Sequence, residues 1–265
     1  MALNHTHQAF PNFILENTIE DQYNSHLDLM RFCTVDNSLV GVAGDTKKIR
    51  VYRASDATQK LAMGEGNTTN IEVTHKDVEY TILLAQNRFP YYDEELMRDP
   101  LIVDTGLRHM TTDMFNTAQA DIYAEFGKAT QIVNASAFDF GAFVDAVAML
   151  PGENQEELEV FAFVHPNDKA AIRKTLKDDL KYVESFVRAG YIGTVAGVNL
   201  YTKQDATEGV ICGGTRDAVT FFNKKGTEVE QERDANTRLN EIYSRKYYLA
   251  ALTNEMKCFK IVKGA

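Results

Sequence analysis

Positive charge is what this chain is short of. It has 28 lysines and arginines against 38 aspartates and glutamates, a formal net charge of -10. A protein that binds long stretches of phosphate backbone needs a basic face, so the balance argues against stoichiometric nucleic-acid binding. Cysteine is also scarce. Cys33, Cys212 and Cys258 share no metal-ligand spacing, and three cannot all pair within one chain, so reduced intracellular thiols are expected. No stretch reaches the ~18 apolar residues of a membrane span. The N-terminal MALNHTHQAFPNF has neither the basic start nor the apolar run of a signal peptide. The expectation is a soluble chain made in a cytoplasm, without a membrane partner.

What remains is ordinary globular material, with 44% hydrophobic and 25% charged residues in a chain of 265, enough for one domain or two. The longest helical pattern lies between Arg88 and Lys128. Leu107, Met110, Met114, Ala118, Ile122 and Phe126 recur at intervals of three and four, one stripe of a helix, while Arg108, Thr112, Asn116 and Glu125 lie away from it. Asp99 is placed as the cap, Pro100 at the first helical position and Gly127 at the end. A helix over 100–127 would be a rod of roughly 40 Å.

Residues 1–45 read as an arm. His5 and His7 lack a partner carboxylate or cysteine at useful spacing. Phe10, Phe13, Ile14 and Leu15 form an apolar cluster suited to lying against a neighbour. A helix over 16–33 would align Ile19, Tyr23, His26 or Leu27, and Met30, and it is short enough to need a partner surface. Two strands follow, at 47–53 and at 77–84, the second with Val78, Tyr80, Ile82 and Leu84 on one face. The polar span between them contains Lys60 and, between Gly64 and Gly66, Glu65. It has too little apolar material for a core, so the hairpin is expected to be held from outside, by a neighbouring subunit.

A strand at 131–134 and a helix at 138–150 come next. The apolar run VFAFV at 160–164 has the character of a central strand covered on both faces. Asn167 or Asp168 is placed as the cap of a helix over 169–187. His165 beside Asp168 could suggest a catalytic base, but a histidine at a strand end before Pro166 reads better as structural. Gly190, Gly193 and Gly197 do not follow the dinucleotide fingerprint, and the P-loop Lys-Ser/Thr is missing, so a turn and a strand are expected there. Cys212 reads as a buried thiol. The chain ends with strands at 218–223 and 227–234 joined by a turn at 224–226, a segment at 238–252 that fits strand or helix, and a strand at 257–262. No catalytic, cofactor-binding or metal-binding residues are expected.

Three stretches carry a resemblance. They are KKIRVYR through NRFPYYDEELMRDPLI, EVFAFVHPNDKAAIRKTL through RAGYIGTVAGVNLYT, and AVTFFNKKGTEVEQERDANTRLNEIYSRKYYLAALTNEMKCFKIV, which together cover most of the chain beyond about residue 40. In the order of its parts the chain resembles the major capsid proteins of tailed bacteriophages, the Hong Kong 97-type shell fold. The resemblance implies an α+β fold with an N-terminal arm (1–45), an extended β-hairpin loop (46–87), a peripheral domain with the long spine helix (88–130 and 218–265) and an axial domain (131–217).

It implies a structural function, an icosahedral shell of hexamers and pentamers around double-stranded DNA, with no enzymatic activity and no cofactor. Lys60, Glu65, Tyr80, Phe10 and Phe13 become the expected intersubunit contacts. Expected partners are other copies of the chain, a separate scaffolding protein, a portal protein, and packaged DNA contacted weakly and without sequence specificity. The expected location is the virion, after synthesis in a host cytoplasm. Some relatives of the fold join a loop lysine to a neighbour's asparagine, but no motif here identifies the asparagine or an assisting acid, so Lys60 is expected to stay free of a cross-link. Relatives carrying their own scaffold have a long, charged helical extension that is later removed. The short arm and Met1 lead to the expectation of an external scaffold. Two alternatives stand beside this reading. An encapsulin-like compartment would share the fold and enclose protein. A nucleotide-dependent α/β enzyme is suggested by VFAFV, the glycines and His165, without a phosphate-binding signature or an acid-base pair.

Overall fold

Strands whose alternate side chains face two different cores organise this chain in the computed structural model, which describes residues 28–55, 57–151, 159–176 and 193–264. A six-stranded sheet is built from β5 (Gln131–Ala135), β6 (Val160–Val164), β7 (Thr194–Val195), β8 (Val198–Thr202), β9 (Val210–Gly214) and β12 (Cys258–Lys263), in the order β5-β12-β9-β6-β8-β7. A four-stranded sheet has the order β1-β10-β11-β4, from β1 (Thr34–Asp36), β4 (Leu83–Tyr92), β10 (Val219–Asp234) and β11 (Leu239–Leu252). A separate two-stranded ribbon pairs β2 (Thr46–Ala54) with β3 (Val73–Thr81). The helices are α1 (Asp93–Arg98), α2 (Leu101–Phe126), α3 (Phe140–Ala148) and α4 (Pro166–Thr175). This is the expected α+β architecture.

β6 shows why five consecutive apolar residues form a strand here. Each is buried, because successive side chains point to opposite faces and both faces are covered. Val160, Ala162 and Val164 join Phe143 and Ala146 of α3 and Ile172 of α4 in one core. Phe161 and Phe163 point the other way, with ring centres 5.6 and 5.4 Å from Phe126 of α2. Beside β6, β9 approaches so closely that a Cβ on Gly213 would lie 2.4 Å from the Phe161 carbonyl oxygen.

The four-stranded sheet repeats the arrangement. Phe221, Tyr248 and Ala250 face α2, and the Tyr248 hydroxyl donates to Asp121 Oδ2 at 2.6 Å. Phe222, Leu249 and Ala251 face the other way and are covered by Ile49, Tyr80 and Ile82 at the base of the ribbon.

α2 buries Met110, Met114, Ala118, Ile122 and Phe126, the expected stripe without its first member, since Leu107 is exposed. Glu125, read as lying away from the stripe, is buried, with one oxygen 2.5 Å from Lys128 Nζ. The helix starts one residue later than expected. Pro100 holds the cap position, and the Asp99 carboxylate accepts from the Leu101 amide at 3.0 Å.

Other boundaries move for identifiable reasons. The strand expected at 77–84 breaks at Ile82, whose amide donates to the Asp45 carbonyl at 2.7 Å, and the chain then changes partner from β2 to β11. Pro90 lies within β4, an edge strand, where a missing amide hydrogen is tolerated. Residues 224–226 are not a turn. β10 runs on through them with register shifts at 223/225 and 225/228, because β11 is unbroken and pairs with both halves. That also settles 238–252 as strand. The cap of α4 is His165, whose Nδ1 accepts from the Asn167 amide at 3.2 Å, not Asn167 or Asp168. Of the helix expected over 16–33, Leu29–Phe32 is a 3-10 turn capped by Asp28, and 16–27 lies outside the described residues, as does 177–187 of the helix expected over 169–187. The last strand, grouped above with 88–130, is hydrogen-bonded into the six-stranded sheet between β5 and β9.

Gly213→Ala should destabilise the protein. A methyl group in a strand otherwise favours folding by roughly 0.5–1 kcal/mol, but here it meets the backbone of β6, which cannot rotate away. The expected loss is about 2 kcal/mol or more, read as a lower midpoint in urea. An unchanged midpoint would show that β6 and β9 are less tightly apposed than described.

Candidate intersubunit surfaces

The ribbon of β2 and β3 is half anchored and half free. At its base, Tyr80 donates from its hydroxyl to the Leu252 carbonyl at 3.2 Å, and Lys47 lies 3.7 Å over the Phe222 ring. Further out, cross-strand charges take over from apolar packing. Arg50 grips Asp77 with two hydrogen bonds of 2.7 and 2.9 Å, and Lys48 lies 2.5 Å from Glu79. The guanidinium holds the Asp77 carboxyl below the usual carboxylate range, and Asp77 raises the pKa of Arg50 in return. Such exposed pairs are screened by solvent, so they set register more than stability.

Beyond β2 and β3 the two arms still run side by side. The Ser55 amide donates to the Glu72 carbonyl and the Glu72 amide to Ser55 Oγ, both at 2.9 Å, and Thr69 Oγ1 reaches the Ala57 carbonyl at 3.3 Å. The loop end is a small turn in which the Glu65 amide donates to the Ala62 carbonyl and the Glu65 carboxylate accepts from the Ala62 amide, both at 3.1 Å. Gly64 takes φ +89°, a backbone that favours glycine. Tyr52, Leu61, Met63, Ile71 and Val73 are exposed along this end, Met63 completely. Such a concentration of exposed large apolar side chains is what makes this end a candidate contact surface.

Of the expected contact residues, Lys60 and Glu65 lie exposed at the outer end of the ribbon. Tyr80 lies at the base, packed within its own chain. Phe10 and Phe13 lie outside the described residues. Sequence reasoning missed the exposed apolar group. Leu61 with Met63, and Ile71 with Val73, are spaced by two within an otherwise polar span, and that spacing is the signal that could have found them.

A second open surface is the outer half of β10. β1 pairs only with Thr220–Phe222, so the far edge from Asn223 to Asp234 carries no strand among the described residues. Alternating Glu228, Glu230 and Glu232 guard that edge against indiscriminate strand addition. Its tip is tied to α1 by Asp93, which accepts from Arg233 Nη2 at 2.8 Å and Asn240 Nδ2 at 2.6 Å. Arg233, then Asn240, hold the Asp93 carboxyl below its ordinary range.

The features that suggested catalysis are occupied otherwise. His165 caps α4, buried Asp168 accepts from the Gly209 amide at 2.8 Å, and burial raises the pKa of the Cys212 thiol.

No family model matches the chain. A curated relative, the major capsid protein of Staphylococcus phage phiMR11, is 26% identical over 271 residues, covering 98% of this chain and 95% of the relative. Among solved structures, that of Mycobacterium phage Che8 aligns with a TM-score of 0.72 at 16% identity, over 99% of both chains. The capsid of a native GTA particle aligns with a TM-score of 0.72 at 15% identity, over 100% of this chain and 96% of that one. The structural likeness defines the class, a Hong Kong 97-type shell fold. The curated relative narrows the likeness further, since the chain resembles a tailed-phage major capsid protein along nearly its whole length.

In the unassembled protein, trypsin should cut after Lys60, on the exposed loop, well before it cuts after Lys47, which is held in a paired strand over Phe222. Mass spectrometry of the early fragments checks the order. Cleavage at Lys47 first would contradict the division of the ribbon into a free end and an anchored base.

Proposed function

We propose that this chain is the major capsid protein of a tailed phage and builds a closed shell from many copies of itself. One observation carries the reading beyond the fold. The ribbon leaves the body of the protein with its core confined to its base and its large apolar side chains exposed at the far end, an arrangement whose unmet contacts a second copy supplies. In this reading the shell is icosahedral, with hexamers and pentamers enclosing double-stranded DNA. The net charge of -10 suits a wall that contacts DNA weakly and without sequence specificity. A scaffolding protein, a portal protein and location in the virion belong to the same proposal, as does a structural rather than enzymatic role. The proposed division is an arm, an extended loop at 46–87, a peripheral part around α2 and the four-stranded sheet, and an axial part around the six-stranded sheet. The pairing of β12 with β5 and β9 favours assigning 258–263 to the axial part. An encapsulin-like compartment is the weaker reading, because the curated relative is a phage capsid protein.

Deleting residues 59–70 tests the proposal. The variant should remain folded and soluble, since these residues are exposed and touch no core, yet fail to form closed shells under the microscope where the intact chain succeeds. Normal shells from the deletion would sink the role assigned to the loop.

The proposal also leaves Lys60 without a covalent partner. Boiled and reduced particles should run as one band at the chain mass of 29.8 kDa, and a ladder of multiples would show that neighbouring copies are covalently joined.

A further inference from the structure

Two strand edges of this chain have no strand beside them among the described residues, and their charges are opposite. One is the outer half of β10. That strand has 16 residues and β1 pairs with three of them, so beyond Phe222 its far edge is bare while β11 holds the other. Glu228, Glu230, Glu232 and Asp234 stand there against Arg233. The second edge belongs to β2, which pairs only with β3. Its nine residues, TKKIRVYRA, contain two lysines, two arginines and no acid. At about 3.3 Å per residue such a strand is roughly 30 Å long, and the bare part of β10 is long enough to receive it.

A bare edge presents a row of amide and carbonyl groups that a further strand can satisfy. Acidic side chains along it turn away strands of like charge, so the strand that enters has to be basic. Of the ribbon's two edges only β2 qualifies, since β3 sets Lys76 against Asp77 and Glu79. Within one copy Lys225 pairs with Glu228 and Arg245 with Glu230, but an ionised carboxylate accepts several hydrogen bonds and has capacity left. The ribbon of the same copy does not reach this edge. Lys47 lies over Phe222, Tyr80 donates to the Leu252 carbonyl, and Lys76 lies 3.0 Å from Glu255. Because Leu252 is registered with Val219, the ribbon leaves the sheet past the start of β10, away from the bare half. That half is left for a strand from another copy.

We propose that β2 of one copy adds to the outer edge of β10 in a second copy, with Lys48 and Arg50 beside Glu228, Glu230 and Glu232. The contact rests on the shell reading above and deepens it. Main-chain hydrogen bonds fix where the ribbon sits along β10, and the charge pattern selects which ribbon edge enters. Acid on the receiving edge also excludes pairing between two β10 edges, a self-complementary contact that would tie copies into closed pairs.

Cross-linking in assembled particles of the full-length chain tests this. Unlabelled and nitrogen-15-labelled copies are mixed before assembly, and the particles are treated with a carbodiimide, which joins an amine directly to a carboxylate in contact with it. The expected product joins Lys48 to Glu228, Glu230 or Glu232 in peptides of mixed isotope, which means between copies. The Lys48–Glu79 pair, at 2.5 Å within one copy, is the internal control. Links to β10 of single isotope only, links from Lys76 in place of Lys48, or no link while the control forms would each overturn the proposal. Hydrogen exchange separates strand pairing from mere proximity. Amides of 48–54 and of 228–234 should exchange severalfold more slowly in particles than in unassembled copies, and an unchanged rate in either segment overturns the strand addition. Microscopy of the same samples reads shell formation separately. Particles without these signals leave the shell reading in place and remove this one, and a chain that forms no particles removes both.

Discussion

The second half of α2 has to serve two sheets at once, and most of the fold follows from that requirement. Phe126 packs against Phe161 and Phe163 of the six-stranded sheet, and its carbonyl accepts from the Cys258 thiol at 3.5 Å. Five residues earlier, Asp121 takes the hydroxyl of Tyr248 from the four-stranded sheet. Truncating a buried phenylalanine typically costs about 3–5 kcal/mol, so a single residue here contributes a large share of the ~5–15 kcal/mol that separates a folded domain from its unfolded chain. The shared core also takes in Leu29 and Cys33 from the segment that follows the arm. The first half of α2 has no such double duty. It can remain partly uncovered without loosening either sheet.

The ribbon of β2 and β3 obeys a different economy. Ile49, Tyr80 and Ile82 place its base on the face of the four-stranded sheet that α2 does not cover, so one sheet carries the helix on one side and the ribbon on the other. A free two-stranded ribbon is marginal in water. The base supplies the missing third layer, and charge pairs then hold the strands in register outward from it. Lys76, 3.0 Å from Glu255, adds a tie to the segment just before β12. The ribbon is therefore fixed in direction where it leaves the body and has no apolar support of its own at its far end.

Much of this was legible in the residues because local pattern and global position agreed. VFAFV had to be covered on both faces, and it is. The α2 stripe was read nearly in full because each of its members from Met110 onward meets a core. Legibility failed where one local signal fits two structures. Lys224-Lys225-Gly226 has the composition of a turn, but whether such a tripeptide reverses the chain or merely bulges depends on the partner strand, and β11 is long enough to pair with both sides. The tyrosines at 243, 247 and 248 likewise fit strand or helix until a partner decides. His165 was hidden by residue type, since asparagine and aspartate are commoner caps, although an imidazole nitrogen can accept the same amide hydrogen bond. The exposed apolar group of the ribbon was overlooked because its span was judged by average polarity when the spacing within it carried the information.

The surfaces left open differ in the kind of force they offer. The ribbon end presents apolar area, which attracts without direction and changes little with salt. The edge of β10 and the middle of the ribbon present charges of both signs, whose pairings are short-ranged at physiological ionic strength, where screening acts over about 8 Å. A chain with net charge -10 repels its own copies at longer range. Copies that approach in the wrong orientation then meet repulsion without compensating burial, while in the proposed assembly a seated ribbon would bury Leu61, Met63 and Ile71 together. No single contact needs to be strong. The proposed shell would repeat each one on every subunit, so modest contacts would suffice once geometry lets all of them form, and their individual weakness would let a misplaced copy leave.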